Sequence, residues 1–455
     1  MSLQMRIMSS VLTLLLFGAA VSLYAGFIAT DPGVRGDPPG APPSAGGPID
    51  GLSFFENLFF NAGLVAFKEV QSVQGEDLVP DTEPGLGPRF NLDSCAGCHA
   101  QPDVGGTSPF KNPQVDVANK EGATNAVPDF ITIDGPVREA RFKFNPNGTR
   151  DGGVHDLFTI TGRVDAEGCN IAQPNFSAAA AQNNLIFRIP TPVFGAGLIQ
   201  SIDDDTILAN KNSQTFAKGL LGISGRPNTN GNDGTITRFG WKAQVKSLGI
   251  FSGEAYNVEQ GVTNELFPQE RDETAGCLFN TTPENHTNFD ATQPTDVPSD
   301  AVKFALFMSF LAPPAPASDT PSTINGRRLF KEIGCALCHT PYLHTGNVSS
   351  PALRGKRANL FSDLLLHNMG PKLADNILQG NAKGDEFRTA PLWGLGQRIF
   401  FLHDGRTSDL LEAIQAHASR GNLEFGPSEA NRVIAIFNAL GEAQKQDILN
   451  FLRGL

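Results

Sequence analysis

Apolar positions recur at helical spacing in two well-separated stretches of the chain. Leu52–Gln71 carries phenylalanines and leucines three and four positions apart, which predicts an amphipathic helix, and Ile324–Gly334 repeats the pattern. Between them, roughly residues 125–315 are rich in Gly, Asn, Asp and Pro, which predicts short strands or irregular loops rather than long helices. The proline-rich Ala312–Pro321 closes this region as a linker. The pattern therefore predicts a mostly α-helical protein with a long irregular insertion.

Each predicted helix leads into a Cys-x-x-Cys-His string, at 95–99 and at 335–339. This spacing is typical of covalent haem attachment, in which two thiols bind the vinyl groups of one haem and the adjacent imidazole becomes the proximal iron ligand. A thioredoxin-type dithiol or half of a zinc site requires no histidine at that place and does not explain the repetition. The sequence predicts two covalently bound haems c, held by Cys95, Cys98, His99, Cys335, Cys338 and His339.

The distance between the two strings predicts two haem domains. The expected fold is mostly α, with two c-type cytochrome domains and a long irregular insertion containing short β-strands. The predicted boundaries are a signal peptide or N-terminal anchor at 1–30, a Pro/Gly-rich tether at 31–50, a first haem domain at 51–125, an insertion completing the first haem site at 126–315, and a second haem domain at 316–455.

The first 30 residues predict export. An apolar run follows Arg6, and Ala25 is a plausible cleavage position. The apolar stretch continues to Ala29, so an uncleaved membrane anchor is the alternative. Either way we expect the folded part in the periplasm or its equivalent, since covalent haem attachment normally follows export. In such an oxidising compartment Cys169 and Cys277 are expected to form a disulfide, with two separate buried thiols as the alternative.

The sixth ligand of each iron decides its role, because an iron with one protein ligand is open to small molecules and an iron with two strong ligands serves electron transfer. Thr407 or Ser408 can cap a helix on which Leu410, Ile414 and His417 share one inward face. We therefore predict His417 as the sixth ligand of the second haem. The alternatives are His344, His367, Met369 and His403, with the His367-Asn368-Met369 string next in order.

A weaker likeness links the segments downstream of the two haem strings. Aligned on their Glu-Ala pairs, which begin at Glu254 and Glu412, the segments place Glu259 opposite His417. A carboxylate is a poor ligand for a low-spin iron but a suitable general acid–base. Glu259 or Glu254 is therefore predicted to assist O–O cleavage of hydrogen peroxide beside an open first haem. Alternatively, both glutamates lie on a solvent-exposed helix face. The likeness between the two segments would then be a chance similarity of two amphipathic helices.

Two further residues are candidates near the first haem. His155 lies in a loop-like string and is the main alternative sixth ligand. Trp241 lies in the repeated segment, where an indole could mediate electron transfer between the haems or simply pack.

These motifs resemble the bacterial dihaem cytochrome c peroxidase superfamily. The likeness rests on the two haem strings, on Phe-Leu-His-Asp-Gly-Arg at 401–406, and on Leu-x-Glu-Ala-Ile before a ligand position. Within that superfamily the chain is most similar to the di-haem oxidoreductase branch, often labelled thiol oxidoreductase-like, in the motifs at 85–91, 194–198, 238–243 and 361–370. The likeness covers about residues 52–455.

The resemblance implies that the N-terminal haem reduces peroxide and that the C-terminal haem accepts electrons from a small donor. The peroxidases place a Met ligand fourteen residues after the His of a His-x-Gly string. Here that position, counted from His403, is His417. The second haem would then be bis-histidine, with a potential lower than that of a His/Met haem, which puts an ordinary high-potential cytochrome in doubt as its donor. The peroxidases also hold calcium between the haems, which makes calcium a further candidate cofactor.

The sequence thus predicts an exported, peroxidase-like dihaem oxidoreductase in which electrons enter at the His339/His417 haem, pass by way of Trp241, and reach the first haem. The expected partners are a small redox protein and a small oxidant such as hydrogen peroxide. A net charge of −12 argues against nucleic acid. The alternatives are an electron-transfer dihaem cytochrome without catalysis, and a dihaem oxygenase or sulfur-compound oxidoreductase.

Overall fold

The computed structural model describes residues 27–37 and 43–455, so nearly all of the predicted signal or anchor segment lies outside the described residues. Within the described part, no helix is both long and apolar enough to cross a membrane. The helices are α1 (Phe54–Lys68), α2 (Cys95–Cys98), α3 (Gln114–Val117), α4 (Phe176–Ala181), α5 (Ala196–Gln200), α6 (Asp204–Lys211), α7 (Thr215–Leu221), α8 (Leu248–Gln260), α9 (Asp300–Phe310), α10 (Pro321–Glu332), α11 (Leu410–Ala416), α12 (Asn431–Ala439) and α13 (Glu442–Arg453).

The strands are short and pair only locally. Antiparallel sheets form in the orders β1-β4, β3-β2-β5, β6-β7, β8-β9 and β10-β11. Helices are therefore the main regular structure, joined by long irregular segments, as the sequence pattern predicted. The strands are β1 (Arg89–Phe90), β2 (Glu139–Phe142), β3 (Val154–His155), β4 (Phe158–Thr159), β5 (Leu185–Arg188), β6 (Asn228–Thr229), β7 (Ile236–Thr237), β8 (Leu343–His344), β9 (Arg357–Ala358), β10 (Leu366–Asn368) and β11 (Glu386–Arg388).

Two of the longer helices, α8 and α9, lie in the region expected to hold only short strands and loops, so that expectation is wrong for 248–260 and 300–310. Helix α9 packs against α1, and α8 packs against α9. The apolar residues of α9 that face α1 and α8 include Phe304 and Phe307, both buried. The helical spacing of the apolar residues in α8 and α9 was not recognised in the sequence, because the segments around these helices are rich in Gly and Pro.

The first helix pair crosses at a glycine. A Cβ on Gly63 of α1 would lie 2.3 Å from the carbonyl oxygen of Lys303 on α9. One turn further along α1, Phe67 packs against Phe307 of α9, with ring centroids 4.9 Å apart. The other edge of Phe67 meets His99, at 5.9 Å between ring centroids. The glycine thus lets the helices approach closely enough for Phe67 to support the histidine of the first Cys-x-x-Cys-His string.

The second helix pair, α10 and α13, repeats this construction. A Cβ on Gly326 would lie 1.9 Å from the carbonyl oxygen of Asp447. Phe330, again four residues after the glycine, packs against Phe451 at 5.5 Å and lies 6.1 Å from the ring of His339. The two halves therefore share a Gly-x-x-x-Phe support for the histidine of each haem string, which establishes the internal repeat.

A loop followed by a helix repeats as well. Residues 239–245 and 401–407 each close on themselves through an antiparallel bridge between their end residues. Both loops have left-handed backbone at their second and fifth positions. Two residues after each loop, Ser247 accepts a hydrogen bond from the backbone of Ile250 to cap α8, and Asp409 accepts one from Glu412 to cap α11. Asp409, rather than Thr407 or Ser408, is therefore the capping residue of α11.

The insertion shares an apolar core with residues 73–118, and this core includes Phe90, Leu157 and Phe158. The predicted disulfide between Cys169 and Cys277 is present in this core, with the Cα atoms 4.8 Å apart. Because it joins positions 108 residues apart, it holds the irregular segment after α8 against the rest of the insertion.

The segment expected to be a flexible tether is partly bound to the second half of the chain. Ala29 is buried, and Asp31 forms a buried ion pair with Arg453 of α13, at 2.7 Å between Oδ1 and Nε. The other oxygen of Asp31 accepts a hydrogen bond from the backbone of Leu410, the first residue of α11, at 2.7 Å. The polar contacts of Asp31 thus hold residues 29–37 in place despite their proline and glycine content.

A buried histidine ties together the loops that follow the second haem string. His367 donates to Asp363 through Nε2 at 2.9 Å and to Glu429 through Nδ1 at 2.8 Å. Burial would lower the pKa of His367, but the Cys338 sulfur and the Asp363 carboxylate outweigh it and raise that pKa well above its ordinary value. In turn, hydrogen bonds from His367 and from Ser224 hold the pKa of Glu429 at about 2.

Substituting Gly326→Ala should destabilise the second helix pair, because the new methyl group collides with backbone rather than with a movable side chain. We expect a loss of about 1–3 kcal/mol in the free energy of unfolding, measured by chemical denaturation. The matched control is Gly219→Ala in α7, where a Cβ meets nothing within 4 Å. That control should leave stability unchanged or raise it by up to about 1 kcal/mol. Equal losses in both variants would contradict the close crossing.

Replacing His367 by Gln should cost about 3 kcal/mol, because it leaves two carboxylates buried without a cation. A histidine whose pKa is higher in the folded than in the unfolded protein stabilises the fold fully at pH values below its unfolded-state pKa, which is about 6.5. This stabilisation decreases as the pH rises toward the folded-state pKa. The loss should therefore be larger at pH 6 than at pH 9, as measured by denaturation at both. His344→Gln is the control, because His344 is exposed. A loss that does not depend on pH would refute a charged His367.

Candidate functional site

The first Cys-x-x-Cys-His string faces a cavity of about 340 Å³, called the first cavity here. Cys95, Cys98 and His99 lie on its wall, and both thiols are free. The Nε2 atom of Gln260 at the end of α8 donates to the Cys95 sulfur at 3.0 Å. The rest of the wall comes mainly from β2, β5, α8, α9 and the segments 189–193 and 240–244. The insertion therefore supplies most of the cavity that the first string faces.

The second string faces a cavity of about 230 Å³, called the second cavity here. Cys335, Cys338 and His339 line it, and both thiols are free. The surrounding wall is mainly apolar and comes from α10, α11, α12, α13 and the segment 367–403. Burial raises the pKa of Cys335 and of Cys95 to about 12, so neither thiol has the thiolate character of a redox-active dithiol.

Three histidines are hydrogen-bonded in the way that suits metal ligation. The Nδ1 atoms of His99, His339 and His417 lie at 2.9, 3.1 and 2.8 Å from the backbone carbonyl oxygens of Gly106, Phe361 and Ala413. Such a bond fixes Nδ1 as the donor and leaves Nε2 with its lone pair free for a metal. The two strings and His417 therefore have the donor arrangement that haem iron requires.

His339 and His417 face each other across the second cavity. Their ring centroids lie 6.5 Å apart at an angle of 60°. This separation leaves room for one iron between the rings, since a metal–imidazole bond is about 2 Å long. The structure thus brings together the two residues that the sequence proposed as axial ligands of the second haem.

Three of the four alternative ligands, the histidines, are placed less favourably than His417. Both ring nitrogens of His367 are engaged by carboxylates, so it has no free lone pair for a metal. His403 lines the second cavity but stacks on Phe387, with centroids 4.3 Å apart. Met369 lines the same cavity, and His344 is exposed.

His155, the alternative ligand for the first haem, does not line the first cavity. Its ring stacks on Phe142 at 3.7 Å between centroids, and its Nε2 lies 2.7 Å from the Asp151 carboxylate. Only its neighbours Gly153 and Val154 reach the cavity wall.

The repeated loop and helix correct the register of the sequence alignment. Matching the bridged loops 239–245 and 401–407, and the caps Ser247 and Asp409, places Ala255 opposite His417. The alignment on Glu-Ala pairs had placed Glu259 there, four residues away. Ala255 lines the first cavity. The first cavity therefore has a methyl group at the position where the second cavity has an imidazole.

Glu254 and Glu259 flank Ala255 on the same wall of the first cavity. Burial, together with the Glu139 and Asp156 carboxylates, raises the pKa of Glu259 well above its ordinary value, although nearby arginines oppose the shift. Burial also raises the pKa of Glu254, against the pull of Arg141. Both glutamates thus face the cavity rather than solvent, and burial favours the protonated form of Glu259.

The sequence did not indicate the charged groups around Glu259. Arg271 donates to Asp156 at 2.8 Å, and Arg141 pairs with Glu139 on β2. Glu139 and Arg141 are two residues apart, so on a strand they share one face, and this spacing could have indicated a charged pair. The sequence does not show, however, that this face lies beside α8.

Trp241 lines both cavities. Its indole nitrogen donates to the backbone carbonyl of Ile189 at 2.9 Å, and its ring meets His403 edge-on at 6.4 Å between centroids. In the repeat, Trp241 occupies the position of His403. The side chain that the sequence proposed as an electron mediator therefore lies between the two sites.

Within residues 27–37 and 43–455, no group of three or more His, Cys, Asp or Glu side chains is placed to hold an ion.

Comparison with solved structures gives only distant similarities. The diheme peroxidase BthA from Burkholderia thailandensis E264 is 15% identical over 48% of this chain and 65% of its own, with a TM-score of 0.30. A MauG-like protein associated with microbial copper homeostasis is 16% identical over 58% and 90%, with a TM-score of 0.31. Kuenenia stuttgartiensis hydrazine synthase is 17% identical over 40% and 59%, with a TM-score of 0.23. The chain thus spans less than two thirds of BthA, and TM-scores this low carry no functional argument.

Among proteins with curated descriptions, none matches this chain. The family model described as "Di-haem oxidoreductase, putative peroxidase" matches residues 146–455. The match includes the second Cys-x-x-Cys-His string and begins after the first. Because it covers more than half of the sequence, this chain belongs to the di-haem oxidoreductase family.

Proposed function

We propose that this protein is an exported peroxidase-like oxidoreductase with two covalently attached haems c, one in each of two c-type cytochrome domains. Cys95, Cys98 and His99 would hold the first haem, and the corresponding residues 335, 338 and 339 the second. The free thiols, the free Nε2 atoms and the two cavities fit these groups. When bound, the haems would supply iron that exchanges electrons and, at the first site, an open coordination position.

One observation carries the proposal. The two sites belong to one repeated unit, yet His417 faces His339 in the second cavity while Ala255 stands at the equivalent position in the first. Two imidazoles make the second site suited to electron transfer. A methyl group cannot bind a metal, so the first site keeps room for a small substrate such as hydrogen peroxide.

Glu259 would act as the general acid of the first site. Burial and the neighbouring Glu139 and Asp156 carboxylates raise its pKa, which favours a proton on its carboxyl group. It can deliver that proton to the leaving oxygen of the peroxide as the O–O bond breaks, and accept another afterwards. Reduction of one peroxide to two waters consumes two electrons and two protons. Glu254 lies on the same wall and is the second candidate.

Trp241 would connect the sites, because it is the aromatic side chain that lines both cavities. The electron donor would be a small redox protein that delivers electrons to the second site. Export is supported by the apolar N-terminal segment and by the disulfide within the insertion.

Low-temperature EPR of the oxidised protein tests the ligand assignment. We expect one high-spin and one low-spin haem signal, with both haems retained on a denaturing gel stained for haem. His417→Ala should convert the low-spin signal to high-spin, whereas His344→Ala, at an exposed position, should change neither. Two low-spin signals in the oxidised, unmodified protein, with the haem that stays oxidised after one-electron reduction still low-spin, would indicate an electron carrier instead of an enzyme.

Glu259→Gln should slow peroxide turnover by about 10²–10⁴-fold, because the amide cannot donate the proton. Glu254→Gln is the matched comparison on the same helix, and the larger loss identifies the acid. Steady-state peroxide consumption with an artificial electron donor measures both. Unchanged turnover in each single variant and in the double variant would remove both glutamates from the mechanism.

A further inference from the structure

Two arginines in the wall of the second cavity have no counter-charge among the residues that the structure describes. Arg388 and Arg398 line this cavity with only 9% and 8% of their surfaces exposed. Arg388 donates from Nε to the carbonyl oxygen of Gly240 at 3.0 Å, but its buried Nη1 has no hydrogen-bond partner in the described part of the chain. Arg398 donates from Nη2 to the carbonyl oxygen of Pro391 at 3.1 Å.

Neither guanidinium meets a carboxylate among the described residues. Burial lowers the pKa of each to about 10, and for Arg388 the nearby positive charge of Arg398 acts in the same direction. One carboxylate, Glu429, does line the second cavity. However, its oxygens are already engaged by His367, by Ser224, and by backbone amides of neighbouring loops.

The first cavity is different. Three of its arginines pair with carboxylates, and the fourth is half-buried and lies over a phenylalanine ring. These groups are Arg141 with Glu139, Arg188 with Asp375, Arg271 with Asp156, and Arg138 over Phe187. A buried charge without a partner is costly, so an uncompensated pair of guanidinium groups indicates an anionic ligand. Only the second cavity has such a pair.

We propose that Arg388 and Arg398 bind the two propionate carboxylates of the haem in the second cavity and thereby raise its reduction potential. The inference rests on the proposed function, because it requires a haem at the second string. The site offers two positively charged guanidinium groups, and haem carries two negatively charged propionate carboxylates. Guanidinium is also the side-chain group best shaped to bind a carboxylate through two parallel hydrogen bonds.

The effect on the potential follows from electrostatics. Oxidation adds one positive charge to the iron, and unpaired propionates nearby would stabilise that charge. Two buried guanidinium groups cancel the propionate charges, and salt screens buried charges little, so they favour the reduced state. The arginines therefore oppose the lowering of the potential that a second imidazole brings. They make a bis-histidine haem easier for a small redox protein to reduce.

Spectroelectrochemical titration of the purified dihaem protein tests this, with the second haem followed by its low-spin absorption. In Arg388→Gln and Arg398→Gln, the reduced-to-oxidised ratio at the wild-type midpoint should fall about tenfold, which is 59 mV for one electron. Arg388→Lys and Arg398→Lys keep the charge and should retain most of the potential. Arg432→Gln removes an exposed charge from α12 and should change nothing, since solvent and salt screen that charge.

Three results would overturn the proposal. If the Gln variants carry both haems and keep the wild-type midpoint, the arginines do not set the potential, although the dihaem assignment stands. If the wild-type protein carries no covalent haem, the proposed function fails and this inference fails with it. If the Gln variants do not fold, resonance Raman spectra of the Lys variants test whether the arginines contact the propionates. Propionate-bending bands identical to those of the wild type would show that neither arginine contacts the propionates.

Discussion

The close crossing of two helices at a glycine in each half of the chain is the constraint on which both sites depend. Gly63 and Gly326 let a neighbouring helix approach within backbone contact, and the phenylalanine one turn later is thereby packed between that helix and the string histidine. Because protein interiors are close-packed, the position of this phenylalanine limits where the imidazole can lie. A backbone carbonyl then fixes the ring nitrogen that faces the cavity.

The two sites share one arrangement of supporting helices but carry different side chains around their cavities. In the second site the loop and helix of the repeat present His417, and the mainly apolar wall includes the two arginines. In the first site the same helix presents Ala255, with glutamates on either side and paired arginines behind them. Both sites therefore share the support of the string histidine. In the proposed function, the different residues on one helix separate an electron-transfer site from a site with an open position and a proton donor.

Much of the second site could be predicted from the sequence. The Cys-x-x-Cys-His spacing is local, and His417 lies on a helix whose apolar stripe is visible in the sequence, so neither depended on long-range contacts. The first site was harder, because its walls come from β2, β5, α8 and α9, far from residues 95–99. The Glu-Ala alignment was four residues out of register, since sequence identity between the repeats is low and only the bridged loops and capping residues fix the correct match.

By itself, the sequence determined the spacing of the two Cys-x-x-Cys-His strings, on which the proposed haem attachment rests, and which two remaining cysteines can pair. These properties depend on neighbouring residues or on residue counts. The tertiary structure decided which side chains share a cavity. In the folded protein both ring nitrogens of His367 are hydrogen-bonded, and His155 packs on Phe142 outside the first cavity. Trp241 lies between the two sites. Arg388 and Arg398 have no carboxylate partner among the described residues. Burial and counter-charge are properties of segments brought together by folding, so no local pattern could reveal them.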